Sequence, residues 1–374
     1  MTIKALISGQ SVQLSYGGYS EEGFRLVDDS GAYADVYIST PLALDDAFER
    51  KAFDVFFLAR KEIRESDIFQ VYDETRNIRI GWCIPVNALA SVEHDFSDNM
   101  HFLRYAYVAM RDAICGITES IYTRELDLGA LSEILLTDLF HENTALLVVS
   151  RETLLDEEPF HLECAVPSLI RHGYVRLSHR NPGDIALSSP HLQGEKLKIK
   201  LISPNLTSYR VIDSLLHSAF AYEESSILSF FYLYQIFELL IEEVYRLEQA
   251  KIVEELISAA GDSSKAKDAL EKVQRITSEK KRITLLTTVY SRSLKKAGDL
   301  KASCNALLRA VGRGEGVKFE EYFYSIRNFI FHQYRDFPVE QEQLLREVVG
   351  DVRDWLPEIL STFAVTSNSA DVRT

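Results

Sequence analysis

Phe319-Glu-Glu-Tyr-Phe-Tyr-Ser-Ile-Arg-Asn-Phe-Ile-Phe-His332 reads as a single helix. At about 100° of turn per residue, Phe319, Phe323, Ile326 and Ile330 fall in one narrow stripe, which is a core face. Glu321, Ser325, Asn328 and His332 form a second stripe on nearly the opposite side. Arg327 lies between the two, about 140° from His332, and its side chain is long enough to swing toward either. Tyr322, Phe329, Tyr324 and Phe331 flank the polar stripe. A solvated face is not bordered by four aromatics, so another helix or another subunit is expected to cover this one.

Outward from this helix, residues 206–366 keep a helical pattern. Helices are expected over Tyr209–Phe220, Ser225–Glu248, Ser263–Arg275, Glu279–Ser293 and Asp299–Val311. Gly312-Arg-Gly-Glu-Gly316 then reads as a flexible connection, either a plain loop or a mobile rim beside a site. Pro338 opens the last helical region, and Pro357 is expected to kink or split it. The 225–248 helix is apolar on nearly every side, as the centre of a bundle would be. Its main polar stripe is Gln235, Glu238, Glu242 and Tyr245. A carboxylate on a buried helix needs a cation, and Arg327 is the expected partner of Glu238; the alternative is a solvent-facing bundle edge.

Residues 1–205 mix strand and helix patterns and read as an α+β domain ahead of the all-α bundle. Strands are expected at 32–38, 53–58, 68–72, 77–82, 145–149, 174–177, 184–187 and 196–201, with a hairpin loop at Asp73–Arg76. Phe102–Tyr122 favours helix by its length, and Leu131–Phe140 reads as a short helix. Ser203-Pro204-Asn205 marks the domain boundary, and Ser367–Thr374 is a polar tail expected to be disordered.

With 374 residues, two domains are expected, each able to build its own core. The four cysteines are scattered without a CxxC pair, which fits a reducing, cytoplasmic setting. No signal peptide is expected, because the first residues lack a long apolar run. The most apolar run, Ile227 to Ile241, is interrupted by Gln235 and Glu238 and is too short for a membrane span. Net charge is −15. Lys265 to Arg313, however, carries thirteen Lys and Arg against four acids, a net +9 that leaves −24 on the rest. A basic segment on an acidic protein is a candidate polyanion site, with Lys280, Lys281 and Arg282 its densest run. The alternative is a solvated helical hairpin.

The spacing Arg327-Asn328-Phe329-Ile330-Phe331-His332 resembles the R-x4-6-H motif of the HEPN superfamily, in which a polar residue, often Asn, follows the Arg. The motif also sits where that family has it, in a late amphipathic helix of a helical domain. Phe231-Tyr-Leu-Tyr-Gln-Ile-Phe-Glu238 resembles that family's first core helix, with an acid near the motif Arg. The resemblance covers roughly 206–366 and leaves the first 205 residues unexplained. It implies a homodimer through the motif helix, and an RNA-cleaving toxin or effector of a prokaryotic defence system with an antitoxin or defence partner.

The chemistry is consistent with that implication. RNA carries its own nucleophile, the 2′-OH, so cleavage needs no metal or cofactor. His332 can serve as base or acid, since an imidazole titrates near neutrality. Arg327 can clamp the phosphate. Asn328, one turn from His332, can orient the imidazole or bind a phosphate oxygen. One histidine cannot readily be base and acid at once, and a two-fold dimer would supply the second. The competing readings are a helix-terminal histidine beside a structural Arg327–Glu238 pair, in a non-catalytic interaction module, or a nucleotide-binding regulator. No zinc spacing follows His141-Glu142 or His161-Leu-Glu-Cys164, and Asp184 with Glu195 and Lys196 imitates a metal-dependent nuclease poorly.

Overall fold

In the computed structural model, all residues are described except 1, 8, 21–22, 32, 38–51, 90, 92, 116–121, 129–132, 155–159, 189, 191, 193, 195, 204–205, 207–209, 334–336 and 364–374. The boundary residues Pro204 and Asn205, the tail 367–374 and Glu195 lie outside the described set. The chain forms two compact units, one of residues 1–165 and 172–199, the other of residues 166–171 and 200 onward. The first is β-rich and the second all-helical from Arg210, an α+β region followed by a helical bundle.

Strands of the first unit, in chain order, are β1 (Thr2–Ile7), β2 (Gln10–Ser20), β3 (Gly23–Val27), β4 (Tyr33–Tyr37), β5 (Phe53–Arg60), β6 (Phe69–Asp73), β7 (Ile78–Pro85), β8 (Leu126–Asp127), β9 (Ile134–Leu135), β10 (Thr144–Ser150), β11 (Tyr174–Arg176) and β12 (Lys196–Ile199). They build two six-stranded sheets, ordered β8-β1-β2-β3-β4-β9 and β11-β5-β10-β7-β6-β12. In the first, β1 to β4 form an antiparallel meander and each edge closes with a short parallel strand. In the second, every residue of β10 is buried, as a central strand covered on both faces requires. Helices α1 (Val86–Leu89), α2 (Met100–Cys115), α3 (Leu136–Leu139) and α4 (Leu162–Arg171) complete the series up to the unit boundary. Helix α2 packs across β5, β7 and β10, where Trp82 meets Phe102 edge-on at 5.5 Å. Asp73 closes the β6–β7 turn by accepting from the Thr75 and Arg76 amides.

Two expectations need correction. Asp184–Leu187 is no strand: Asn181 accepts from the Gly183 amide and Pro182 opens a single tight turn. Ile185 and Leu187 are buried all the same, so the alternation marks inward-facing side chains without a ladder partner. Of the expected helix Leu131–Phe140, residues 131 and 132 lie outside the described set, and among the rest only Leu136–Leu139 are helical, after a two-residue strand.

Helices of the second unit are α5 (Arg210–Ser214, continued by a π-turn to Ala219), α6 (Ser226–Ser258), α7 (Ser263–Ile276), α8 (Glu279–Leu285, continued by a π-turn to Tyr290), α9 (Leu300–Ala310), α10 (Phe319–Gln333) and α11 (Glu342–Thr362). Helix α6 runs 33 residues, past the expected end at Glu248. Its last turns pack Ile252, Tyr245 and Leu256 on Ala269, Val273 and Ile276 of α7. Pro357 does not split α11; it is buried inside a continuous helix.

Packing of α6, α10 and α11 is aromatic. Phe237 lies 4.9 Å from Phe323, and Phe319 lies 4.8 Å from Phe323 and 5.2 Å from Trp355, between ring centres. All four rings are essentially inaccessible. The core stripe of α10, Phe319, Phe323, Ile326 and Ile330, is buried as expected.

On α11, the buried Glu358 accepts from the buried Lys200 and from the exposed Lys296, the latter at 3.1 Å. Burial alone would raise the Glu358 carboxyl, but the hydrogen bonds from Lys200 and Lys296 and their charges outweigh it and hold it below the ordinary 4.5. A depressed folded value means that the stabilisation is present above pH 4.5 and is lost as pH falls through the folded value. Glu358→Gln is expected to cost about 3–5 kcal/mol at pH 7, because it leaves the Lys200 charge buried without a counter-charge. It should also flatten the acid limb of stability. Urea unfolding of both proteins between pH 3 and pH 7 checks this; parallel limbs would show that Glu358 carries no linkage.

Candidate functional site

The aromatic core sets the rotation of α10 and so decides what each of its other side chains meets. Arg327 is turned to the side where α6 and α8 approach. Its Nη2 lies 3.5 Å from Glu238 Oε1 and its Nε lies 3.7 Å from Glu279 Oε1. The expected Glu238 partner is therefore in place, and a second acid, Glu279, was not anticipated. Three rings surround the guanidinium, Phe331 at 4.8 Å, Tyr234 at 5.5 Å and Tyr324 at 5.9 Å from its carbon. Only 18% of the side chain is exposed. An arginine this enclosed needs its charge compensated, and stacking on ring faces adds to the compensation.

The acids are themselves positioned. Glu238 accepts from Gln235 Nε2 at 2.9 Å, and Glu279 accepts from the Tyr234 hydroxyl at 2.5 Å. Burial raises the Tyr234 phenol, and the hydrogen bond to Glu279 with the Glu279 charge raises it further, against an opposing pull from Arg327. Tyr234 therefore remains a neutral donor. Arg327 with Glu238 and Glu279 leaves a local balance of one negative charge.

Asn328 is half-buried, and its Oδ1 accepts from Arg327 Nη1 at 3.1 Å. It serves the arginine, and no bond between Asn328 and the imidazole exists among the described residues. His332 is exposed in the last turn of α10. Five residues on a helix separate it from Arg327 by about 7.5 Å along the axis and about 140° around it. The flanking aromatics find partners within the chain. Tyr322 and Phe329 are buried, and Phe331 stacks on Phe231 at 4.6 Å. A second subunit is not needed to account for them.

On the other flank of the His332 stripe stands Arg313, the last residue of the basic segment. Helix α9 ends in a Schellman turn: Gly312 takes a positive φ of 71°, and the Arg313 amide donates to Leu308 O at 2.8 Å. The Arg313 guanidinium then lies 5.0 Å from the centre of Phe329, and Nη2 donates to Gln333 Oε1 at 2.8 Å. The glycine-rich connection is tied down rather than loose. Asn305 donates to Gly316 O and accepts from Gly316 N, and Arg309 pairs with Glu315 at 2.9 Å. A Cβ at Gly316 would sit 2.5 Å from the Tyr322 amide nitrogen, so glycine there permits close approach.

Much of the basic segment is neutralised by acids, several from outside it. Arg282 pairs with Glu242 and lies over Tyr245, Lys272 pairs with Glu255, and Lys296 joins Glu358. Lys280 and Lys281 are exposed and make no ion pair among the described residues. Of the three expected RNA-binding residues, Arg282 is thus committed within the fold. Among the described residues no group of three or more His, Cys, Asp or Glu converges as a metal site would, and no helix is long and apolar enough to cross a membrane.

Compared with family models, curated proteins and solved structures, the chain finds no match.

The Arg327–Glu279 contact is partly desolvated, so the two residues should be energetically coupled. A double-mutant cycle of Arg327→Gln and Glu279→Gln is expected to return about 1 kcal/mol of interaction. Urea denaturation of the four proteins measures it, and additive single effects would remove Glu279 from the site.

Proposed function

We propose that the helical unit is a metal-independent, HEPN-like endoribonuclease, with the β-rich unit regulating or targeting it. The observation that carries this reading is an exposed imidazole, His332, on a helix face bordered by Arg327 and Arg313. Each guanidinium is stacked on a phenylalanine of the same helix. In the proposed reaction His332 takes the 2′-OH proton, the O2′–P bond forms and the P–O5′ bond breaks. A second His332, from another copy, gives its proton to the 5′ oxygen. The products are a 2′,3′-cyclic phosphate and a 5′-OH, and the two imidazoles have exchanged protonation states. The family resemblance further suggests a toxin or defence effector, held by an antitoxin or partner protein in the cytoplasm.

The reaction is tested with purified protein and RNA in EDTA. Wild type should cut, leaving cyclic phosphate ends. His332→Ala should lose about 100-fold or more, the usual worth of a positioned acid or base. A wild type that leaves RNA intact while EDTA is present, or a fully active His332→Ala, overturns the assignment.

A second reading has its own support. Arg327 is neutralised by Glu238 and Glu279, and Asn328 is engaged by Arg327. That is the arrangement of a structural junction, as in a non-catalytic dimerisation or interaction module. The exposed lysines separate the two. Lys280→Ala with Lys281→Ala should weaken RNA binding and lower the slope of log affinity against log salt by about 1.4, or 0.7 per single-strand phosphate contact. An unchanged slope favours the interaction module.

A further inference from the structure

We infer that Arg313, rather than Arg327, is the cation that receives the phosphodiester anion beside His332. The inference rests on the nuclease reading above. Both arginines carry the same charge, but their surroundings differ. Arg327 is already faced by Glu238 and Glu279, so an anion approaching it meets a net negative cluster. The partners of Arg313 among the described residues are neutral, the Phe329 ring and the Gln333 amide oxygen. Among the described residues no carboxylate lies within ion-pair distance of it; the nearby Glu315 is paired with Arg309.

Position favours Arg313 as well. Gln333 follows His332 directly in the chain and is the last residue of α10. The Gln333 bond therefore tethers the Arg313 guanidinium at the end of the helix where the imidazole is exposed. Arg327 is held about 7.5 Å back along the axis and turned toward α6 and α8. A guanidinium has five N–H donors in a planar fork. Gln333 takes one and Phe329 covers one face, which leaves further donors for phosphate oxygens. The backbone that places Arg313 is itself built: the Schellman turn at Gly312 and the two Asn305–Gly316 bonds fix both ends of the connection. The negative end of the α10 dipole opposes an anion here, and a charge-assisted bidentate contact is the larger effect.

In this arrangement Arg313 binds the two non-bridging oxygens of the scissile phosphate. It holds them while the O2′–P bond forms and the P–O5′ bond breaks. Arg327 becomes a positioning residue that fixes Asn328 and the α6–α8–α10 junction.

The test uses the full chain and two oligonucleotides of one sequence. One is ordinary single-stranded RNA; the other is its 2′-O-methyl analogue, which lacks the nucleophile. Binding of the analogue is followed by fluorescence anisotropy across salt concentrations, and cleavage of the RNA by gel. Arg313→Gln is expected to weaken analogue binding about tenfold and to lower the salt slope by about 0.7. Cleavage should fall at least 100-fold, with Arg313→Lys intermediate in both. Arg327→Gln should leave the salt slope unchanged. Melting curves of each variant confirm folding, and the Schellman turn needs only the Arg313 backbone. If wild type cleaves while Arg313→Gln keeps its slope and rate, the Arg313 assignment is overturned and the nuclease stands. If wild type binds the analogue without cutting RNA and Arg313→Gln weakens that binding, the anion site stands and the nuclease does not. If Arg327→Gln alone lowers the slope, the roles are reversed and the inference fails.

Discussion

Enclosing a guanidinium among three helices is the constraint on which the C-terminal unit depends. Taken out of water, the Arg327 charge is tolerated only with counter-charges and polarisable faces around it. Glu238 comes from α6, Glu279 from the first residue of α8, and Phe331 and Tyr324 from α10 itself. Tyr234 links two of these elements, lying against Arg327 while donating to Glu279. Arg327 and Tyr234 each join two of these groups, so the junction behaves as one network. The aromatic core of Phe237, Phe319, Phe323 and Trp355 packs two of these helices, α6 and α10, against α11. Between them they fix the rotation of α10.

That rotation has a chemical consequence. A helix can present only part of its circumference, and two sectors of α10 are spent on the core and on the Arg327 junction. What remains is the stripe of Glu321, Ser325, Asn328 and His332. Its far edge is formed by Arg313, brought in from the end of α9. An arginine spent on two carboxylates and an arginine whose partners among the described residues are neutral cannot do the same work, even on one face. The tying of the glycine-rich connection matters for the same reason. A loop fixed by Asn305 holds its arginine in place at little entropic cost on binding.

Much of this was legible in the residues. The period-3.6 spacing of apolar positions located α7, α8, α9 and α10, and apolar residues on nearly every side of 225–248 marked the central helix. The Glu238–Arg327 pairing followed from the need of a buried acid for a cation. The strands expected at 53–58, 68–72, 77–82 and 145–149 from apolar or alternating runs are found at 53–60, 69–73, 78–85 and 144–150. β1, β2 and β3 were not read, because β2 is rich in Ser, Gly and Tyr and its stability lies in pairing with β1 and β3. The last turns of α6 were missed because they are stabilised by α7, which local pattern does not reveal.

Periodicity and charge balance are local properties, and so the amino-acid order by itself determined the helical class of the second unit. It likewise determined which face of 319–333 is buried and that Glu238 needs a cation. Tertiary structure alone decided that Glu279 also claims Arg327, that Asn328 serves the arginine, and that Arg313 arrives beside Gln333. The first and last of those contacts join residues 48 and 20 positions apart in the chain, and the middle one is a choice of partner between neighbours. No local spacing encodes such distances; only the packing of whole helices, set by ring shape and buried charge, brings the groups together.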